Sequence, residues 1–172
     1  MKSISIVIPT YNGNELLEKY LPSIVEVCKS YDGQWEIIVV NDGGEKFSSN
    51  SLFVKGKNIR YIRRKQNGGF SKAINTGIKK AKGEIIIALN NDVRVTANFI
   101  KPLIKYFDDL LVFSVKPKSI LPDESNESIK GIKINKGMVE SSNSPFEKRG
   151  GGIFELVYSC AGSAAYDKNK LI

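Results

Sequence analysis

Three apolar runs of strand length constrain this chain more than any other feature. They are "SISIVIP" (Ser3 to Pro9), "WEIIVV" (Trp35 to Val40) and "EIIIAL" (Glu84 to Leu89), and each stops at a polar cluster. Between the first two, the apolar positions Leu17, Tyr20, Leu21, Ile24 and Cys28 recur at three and four. That spacing predicts a helix from Glu15 with one buried face, which Pro22 should kink or restart. "IRYIRR" (Ile59 to Arg64) reads as a shorter, half-exposed strand. "FSKAINTGIKKAKG" reads as a helix from Phe70 to Gly83, with Phe70, Ile74, Ile78 and Ala81 on one side and Gly83 as its stop. A further helix is expected at "ANFIKPLIKYF" and a further strand at "LLVFSVKP".

Strands alternating with helices specify βαβ units, hence an α/β fold around a mostly parallel sheet. Strands with so few polar positions require cover on both faces, so helices should lie on each side. From Lys116 to Gly152 the pattern dissolves into Ser, Asn, Gly and Pro, an irregular excursion with one hairpin expected around "GIKINKGMVESS". Regular structure resumes at "GIFELVYSCAGSAAYDKNKLI". At 172 residues the chain is expected to be one domain.

Composition narrows the chemistry. The chain has no histidine, which removes Ser-His and Cys-His nucleophiles and histidine-ligated metals. Cys28 and Cys160 are isolated, so neither a zinc site nor a disulfide framework is suggested, and a reducing, cytoplasmic setting is expected. No apolar run reaches the roughly 20 residues of a membrane span. The N-terminal "MKSISIVIPTYN" turns polar too soon for a signal peptide and reads as the first strand. Formal net charge is +8, and no acid falls between Glu45 and Glu84. Lys46, Lys55, Lys57, Arg60, Arg63, Arg64, Lys65, Lys72, Lys79, Lys80 and Lys82 all lie there. Such a stretch is either a solvated surface or an attractor of phosphate-bearing ligands, anionic lipid or nucleic acid.

In an open α/β sheet, ligands bind outside the carboxyl ends of the strands. Three polar groups fall at such ends: "PTYN" (Pro9 to Asn12), "NDGG" (Asn41 to Gly44) and "NND" (Asn90 to Asp92). Singly, each reads as a turn. Together, at one edge beside a basic stretch, they form a candidate site.

"SIVIPTYNG", "EIIVVNDGG" and "NGGFSKAINTGIKKAKGEIIIALNNDV", in that order, resemble the nucleotide-sugar-binding half of the family 2 glycosyltransferases, which have the Rossmann-like GT-A fold. The resemblance is close from Ser3 to about Lys118, making 1–118 the nucleotide-sugar-binding part. It resumes loosely at "AGSAAYDKNKL", where the family has a strand leading into a helix. The resemblance implies that the loop of Pro9, Thr10, Tyr11 and Asn12 packs on the nucleotide, with Tyr11 against the base. Asp42 would accept the base's imide N–H, which suits a UDP- or dTDP-sugar. Asn67, Gly68 and Gly69 would pass close beneath the ribose and diphosphate, with positive charge from Lys72. Asp92 matches the acid that holds Mg²⁺ or Mn²⁺ and, through it, the diphosphate. One carboxylate with phosphate and water oxygens is adequate for so hard a cation. Asn90 is expected among the nucleotide-binding residues, and Asn91 stands where the family often has an acid facing the ribose.

The implied reaction is inverting transfer of the sugar to a glycan or lipid-linked acceptor in cell-surface polysaccharide synthesis. It would run in the cytoplasm, with peripheral attachment to the inner membrane face expected through the basic stretch. The family's general base lies downstream of the region matched by "GSAAYDKNKL". The resemblance therefore implies a base beyond Ile172, an incomplete acceptor side over 153–172, and a C-terminally incomplete enzyme. Asp123, Glu124 and Glu127 are not nominated for that role. Three rivals remain. A nucleic-acid module lacks a recognisable motif and interleaved aromatics beyond Tyr61 and Phe70. A dinucleotide-binding enzyme lacks G-x-G-x-x-G after the first strand. A non-catalytic nucleotide-sugar-binding domain would account for the amides in "NND".

Overall fold

A computed structural model describes residues 1–47, 56–117, 131–135, 138–142, 147–149, 153–155 and 163–171. Lys55, Asp123, Glu124, Glu127 and Cys160 lie outside the described residues. The first elements are β1 (Ile4–Thr10), α1 (Asn14–Lys29), β2 (Trp35–Asn41), β3 (Ile59–Arg63), α2 (Phe70–Lys80) and β4 (Ile85–Leu89). Then come α3 (Ile100–Ile104) and β5 (Ser114–Val115), followed by four short strands: β6 (Gly131–Asn135), β7 (Met138–Ser142), β8 (Glu147–Arg149) and β9 (Ile153–Glu155). The last strand is β10 (Ser163–Asp167).

The chain divides into two compact units. The first, Met1–Val115 with Ala161–Ile172, contains a six-stranded sheet of order β3-β2-β1-β4-β10-β5. Its β3, β2, β1 and β4 pair in parallel, and β10 runs antiparallel to both of its neighbours. The second, Lys116–Cys160, holds the antiparallel pair β6–β7, at the position expected for a hairpin, and the antiparallel pair β8–β9.

Alternation along each strand explains why the sheet is covered twice. Ile4, Ile6, Ile8, Ile37, Val39, Ile85 and Ile87 point to one face, where they meet Leu17, Leu21 and Ile24 of α1 and Leu103 of α3. Val7, Ile38, Val40, Ile86 and Ala88 point to the other and meet Ala73 and Ile74 of α2. Each of these isoleucines is worth roughly 1.5–3 kcal/mol when fully buried. The strands are apolar at both parities because both faces are core.

Several expectations need correcting. Pro22 does not restart α1, which runs unbroken through it. The residue is exposed, as is Glu18 one turn back, so the carbonyl deprived of its N–H partner lies on the solvent side. Tyr20 is only half-buried and Phe70 is 43% exposed, so neither belongs to the core face of its helix. Gly83 is not the stop of α2, which ends at Lys80 when Ala81 becomes extended. A Cβ on Gly83 would stand 2.4 Å from the Ile4 carbonyl carbon and 2.5 Å from the Ser5 nitrogen. Glycine is needed there for backbone-on-backbone approach. The helix at "ANFIKPLIKYF" shrinks to α3 and a 3₁₀ turn at Lys105–Asp108. "LLVFSVKP" yields only β5, because Asp109 captures the chain first. Its side chain accepts from the Leu111 N–H at 2.8 Å and its carbonyl from the Val112 N–H at 3.1 Å. That turn leaves Leu110 and Leu111 84% and 92% exposed.

Candidate functional site

Parallel pairing brings the polar ends of β1, β2 and β4 to one edge. Thr10 is opposite Asn41 in the register, and the Asp42 N–H donates to the Thr10 carbonyl at 2.8 Å. On the other side of β1, Asn91 Nδ2 donates to Thr10 Oγ1 at 3.0 Å. Thr10 is therefore buried and tied to both neighbouring strand ends. Pro9 is buried with it, whereas Tyr11 is 53% exposed and Asn12 is exposed. Asn12 adopts the left-handed conformation (φ 49°), one of the few side chains that tolerate it. Its Oδ1 accepts from the Glu45 N–H at 3.0 Å, binding the "PTYN" loop to "NDGG".

Within "NDGG" the two polar residues do different things. Asn41 is buried scaffold: its Oδ1 accepts from the Gly44 N–H at 2.7 Å, and its Nδ2 donates to the Glu45 carbonyl and the Tyr61 hydroxyl, both at 2.6 Å. Asp42 turns its carboxylate towards the loop after β3. One oxygen pairs with the Arg64 guanidinium and the other accepts from the Gly68 N–H at 3.0 Å. Gly43 (φ 82°) lets the strands of backbone touch, since a Cβ there would lie 2.5 Å from the Asn67 nitrogen.

The loop reaching α2 is shaped by its own residues. Asn67 Oδ1 accepts from the Gly69 N–H at 2.9 Å, and Gly69 takes φ 85° immediately before the helix. A Cβ on Gly69 would meet nothing within 4 Å, so conformation and not space demands glycine. Asn67 and Lys72 are exposed, and the Lys72 stem lies beside Gly68. The structure divides the basic stretch in two. Arg63, Arg64, Lys65 and Lys72 stand at this edge, whereas Lys57, Arg60 and Lys82 stand at the starts of the strands. At about 3.3 Å per residue, strands of this length separate the two ends by about 20 Å.

At the end of β4, Asn90 and Asn91 are half-buried and Asp92 is exposed. Among the described residues Asp92 has no hydrogen-bond or ion-pair partner, and no three His, Cys, Asp or Glu side chains gather into a metal cluster. The donor set present is thus one free carboxylate flanked by amide oxygens, all hard oxygen ligands. That set fits Mg²⁺ or Mn²⁺ only as a site completed by phosphate and water oxygens. Cys28 has no part in this edge: burial pushes its thiol up to about 12, which makes it core.

Two contributors escape a reading of polar strand ends. Arg64 follows β3, whose end is not one of the three polar clusters, yet it holds Asp42. Gly13 is the other: a Cβ there would sit 2.2 Å from Asn91 Nδ2 and 2.8 Å from Thr10 Oγ1. The signal for Arg64 was its place at the carboxyl end of a fourth parallel strand. Nothing in the sequence marks Gly13, because the contact spans β1 and β4.

A parallel sheet with a polar carboxyl edge, a glycine-rich loop into a helix and an unpaired acid defines an open α/β protein of the kind that takes ligands outside the carboxyl ends of its strands. A family model described as Glycosyl transferase family 2 matches residues 5–166, and the chain belongs to that family. It is 31% identical over 110 residues to the undecaprenyl-phosphate 4-deoxy-4-formamido-L-arabinose transferase of Pectobacterium carotovorum, covering 62% of this chain and 34% of that protein. It is 38% identical over 91 residues to an uncharacterized glycosyltransferase of Rickettsia felis, covering 52% of this chain and 14% of that one. The chain thus spans about a third or less of the length of these relatives. Among solved structures it is similar to a mannosyltransferase of Pyrobaculum calidifontis in complex with GDP-Man and Mn²⁺. The TM-score is 0.59 and the identity 21%, over 70% of this chain and 36% of that one. The fold is accordingly GT-A-like, as the resemblance implied. Among the described residues, no helix is long and apolar enough to cross a membrane.

Proposed function

We propose that this chain binds a nucleoside diphosphate sugar across the carboxyl edge of β2, β1 and β4 and serves sugar transfer to a lipid-linked or glycan acceptor. The observation that carries this reading is the convergence of Thr10, Asp42, the Asn67–Gly69 loop and Asp92 on one edge. The exposed Tyr11 ring offers a face to the base. Asp42 is an acceptor-only group, held in orientation by Arg64 and Gly68, and it favours a base with a ring N–H, as in uracil or thymine. Lys72, Lys65 and the α2 N-terminus supply positive potential for the diphosphate.

Asp92, with Asn90 or Asn91, would hold Mg²⁺ or Mn²⁺ against the phosphates. Such a cation, when bound, would neutralise charge on the departing diphosphate. In the transfer, an acceptor hydroxyl oxygen forms a bond to the anomeric carbon as the bond to the diphosphate oxygen breaks. The hydroxyl proton passes to a carboxylate base, and the nucleoside diphosphate leaves with the bonding pair. The lipid phosphate in the name of the Pectobacterium relative supports a lipid-linked acceptor, and the basic residues would suit work at an anionic membrane face.

Calorimetry with UDP, dTDP, GDP and CDP, each in Mn²⁺ and in EDTA, tests the reading. Metal-dependent binding led by UDP or dTDP is expected. CDP binding more tightly than either would overturn the role given to Asp42. Metal-independent binding would favour the non-catalytic alternative, which the amides at Asn90 and Asn91 also suit.

A further inference from the structure

The opposite end of the same sheet carries a second basic constellation that sugar transfer does not use. The starts of β1, β2, β3 and β4 enclose a cleft of about 250 Å³ lined in part by Trp35, Glu36, Lys57, Asn58, Arg60 and Lys82. It contains three cations and one carboxylate, and the carboxylate is already spent. Glu36 Oε1 accepts from Ser5 Oγ at 2.7 Å and from the Lys82 N–H at 2.6 Å, while Oε2 pairs with Arg60 at 3.0 Å. Arg60 Nη2 also donates to the Lys80 carbonyl. What remains is an excess of positive charge. Among the described residues neither the Lys57 nor the Lys82 ammonium has a hydrogen-bond or ion-pair partner. Arg60 Nε is buried with its N–H unpaired.

A buried guanidinium N–H without an acceptor costs free energy unless something supplies an oxygen. A phosphate oxygen does so well, because guanidinium and ammonium donors form charge-assisted bonds with it. Trp35 adds an aromatic wall suited to whatever carries the phosphate. We infer that this cleft is a second anion site, taking a phosphate group through Lys57 and Lys82, with Arg60 Nε uncovered towards it by a shift of its partly exposed side chain, about 20 Å from the donor edge. This inference does not depend on the donor reading. The ligand chemistry is a phosphate, carried either by a small soluble molecule or by a lipid headgroup.

Trp35 is the chain's single tryptophan, so its emission reports this cleft directly. Pyrophosphate is titrated at ionic strength held constant with chloride, in parallel with vesicles of phosphatidic acid in phosphatidylcholine and of phosphatidylcholine alone. A saturable change is expected with pyrophosphate, with phosphatidic acid vesicles, or with both, and the responding arm identifies the source. Lys57→Gln and Lys82→Gln should each weaken it about threefold, and the double variant about tenfold, since both groups are exposed and partly screened. Arg60→Lys keeps the charge at Glu36 but removes the Nε donor, and should weaken it too. Lys72→Gln, at the far edge, should leave the titration unchanged. Three outcomes overturn the inference: no response beyond that to chloride and phosphatidylcholine, wild-type titration in the Lys57→Gln/Lys82→Gln variant, or loss of the response in Lys72→Gln.

Discussion

Asn91 and Thr10, 81 residues apart in the chain, are joined by a hydrogen bond of 3.0 Å that clasps the end of β4 to the end of β1. Gly13 closes over this clasp. Helix rules would prefer Ser or Asp at Gly13, the residue capping α1, but any Cβ there would press on Asn91 Nδ2 at 2.2 Å. Gly13→Ala should therefore break the clasp and cost about 1–3 kcal/mol, as overpacking does. Urea unfolding measures the loss, and nucleotide affinity should fall with it. An alanine variant as stable as the parent would show that Asn91 has room to move.

Asp42 and Arg64 form the other fixed pair at this edge, with side chains only 5% and 20% exposed. Asp42→Asn leaves the guanidinium without its counter-charge in a nearly closed position. Removing one member of such a pair costs about 3 kcal/mol, the lower end of the usual range because Arg64 keeps some water. Arg64→Met in the Asp42→Asn background should recover part of that stability without restoring nucleotide binding. Denaturation midpoints and calorimetry on the two variants separate the pair's structural role from its part in recognition.

Much of the sheet was legible in the sequence because both faces are core, so β1, β2 and β4 are apolar without interruption. The candidate site was legible as three polar strand ends because parallel pairing puts such ends on one edge. What escaped reading depends on contacts between distant segments, with one local turn as the exception. Gly83 looks like a helix stop and is a point of backbone contact with Ile4. Leu110 and Leu111 look like strand residues until the Asp109 turn intervenes. The basic stretch looks like one surface, but β3 and α2 each carry it from one end of the sheet to the other. Arg64 gives no local sign of its partner, because a charge pair 22 residues apart has no periodicity to betray it.

Glu84 makes a modest pH dependence testable. The Ser3 backbone N–H donates to its Oε2 at 2.8 Å and the Ser3 hydroxyl at 2.9 Å, holding the carboxyl below its ordinary value of 4.5. A carboxyl depressed in the folded state stabilises fully above its unfolded value. That stability is lost as pH falls from there through the folded value. The residue is exposed, so the effect is small. Thermal midpoints of the parent and Glu84→Gln should differ most at neutral pH and converge in acid. A gap that stays constant on acidification would mean the Ser3 contact does not favour the charged form.

Asn91→Asp is the sharpest test of the metal reading. The substitution keeps the side chain's shape, and the Thr10 hydroxyl can rotate to donate where it had accepted, so the clasp to β1 survives. What changes is charge: two adjacent carboxylates replace one at the end of β4. Without a cation they repel, and the thermal midpoint in EDTA should drop slightly. With Mn²⁺ and UDP present, a second anionic oxygen ligand should raise metal affinity about tenfold, because ligand charge is a principal determinant of affinity for hard cations. Asp92→Asn should move affinity the other way and abolish the metal dependence of UDP binding. Mn²⁺ titration followed by electron paramagnetic resonance reads both variants on one scale. If Asn91→Asp leaves Mn²⁺ affinity where it was while Asp92→Asn removes it, Asn91 faces away from the ion and serves only the clasp. If neither variant changes it, "NND" is a turn and the cation is held elsewhere.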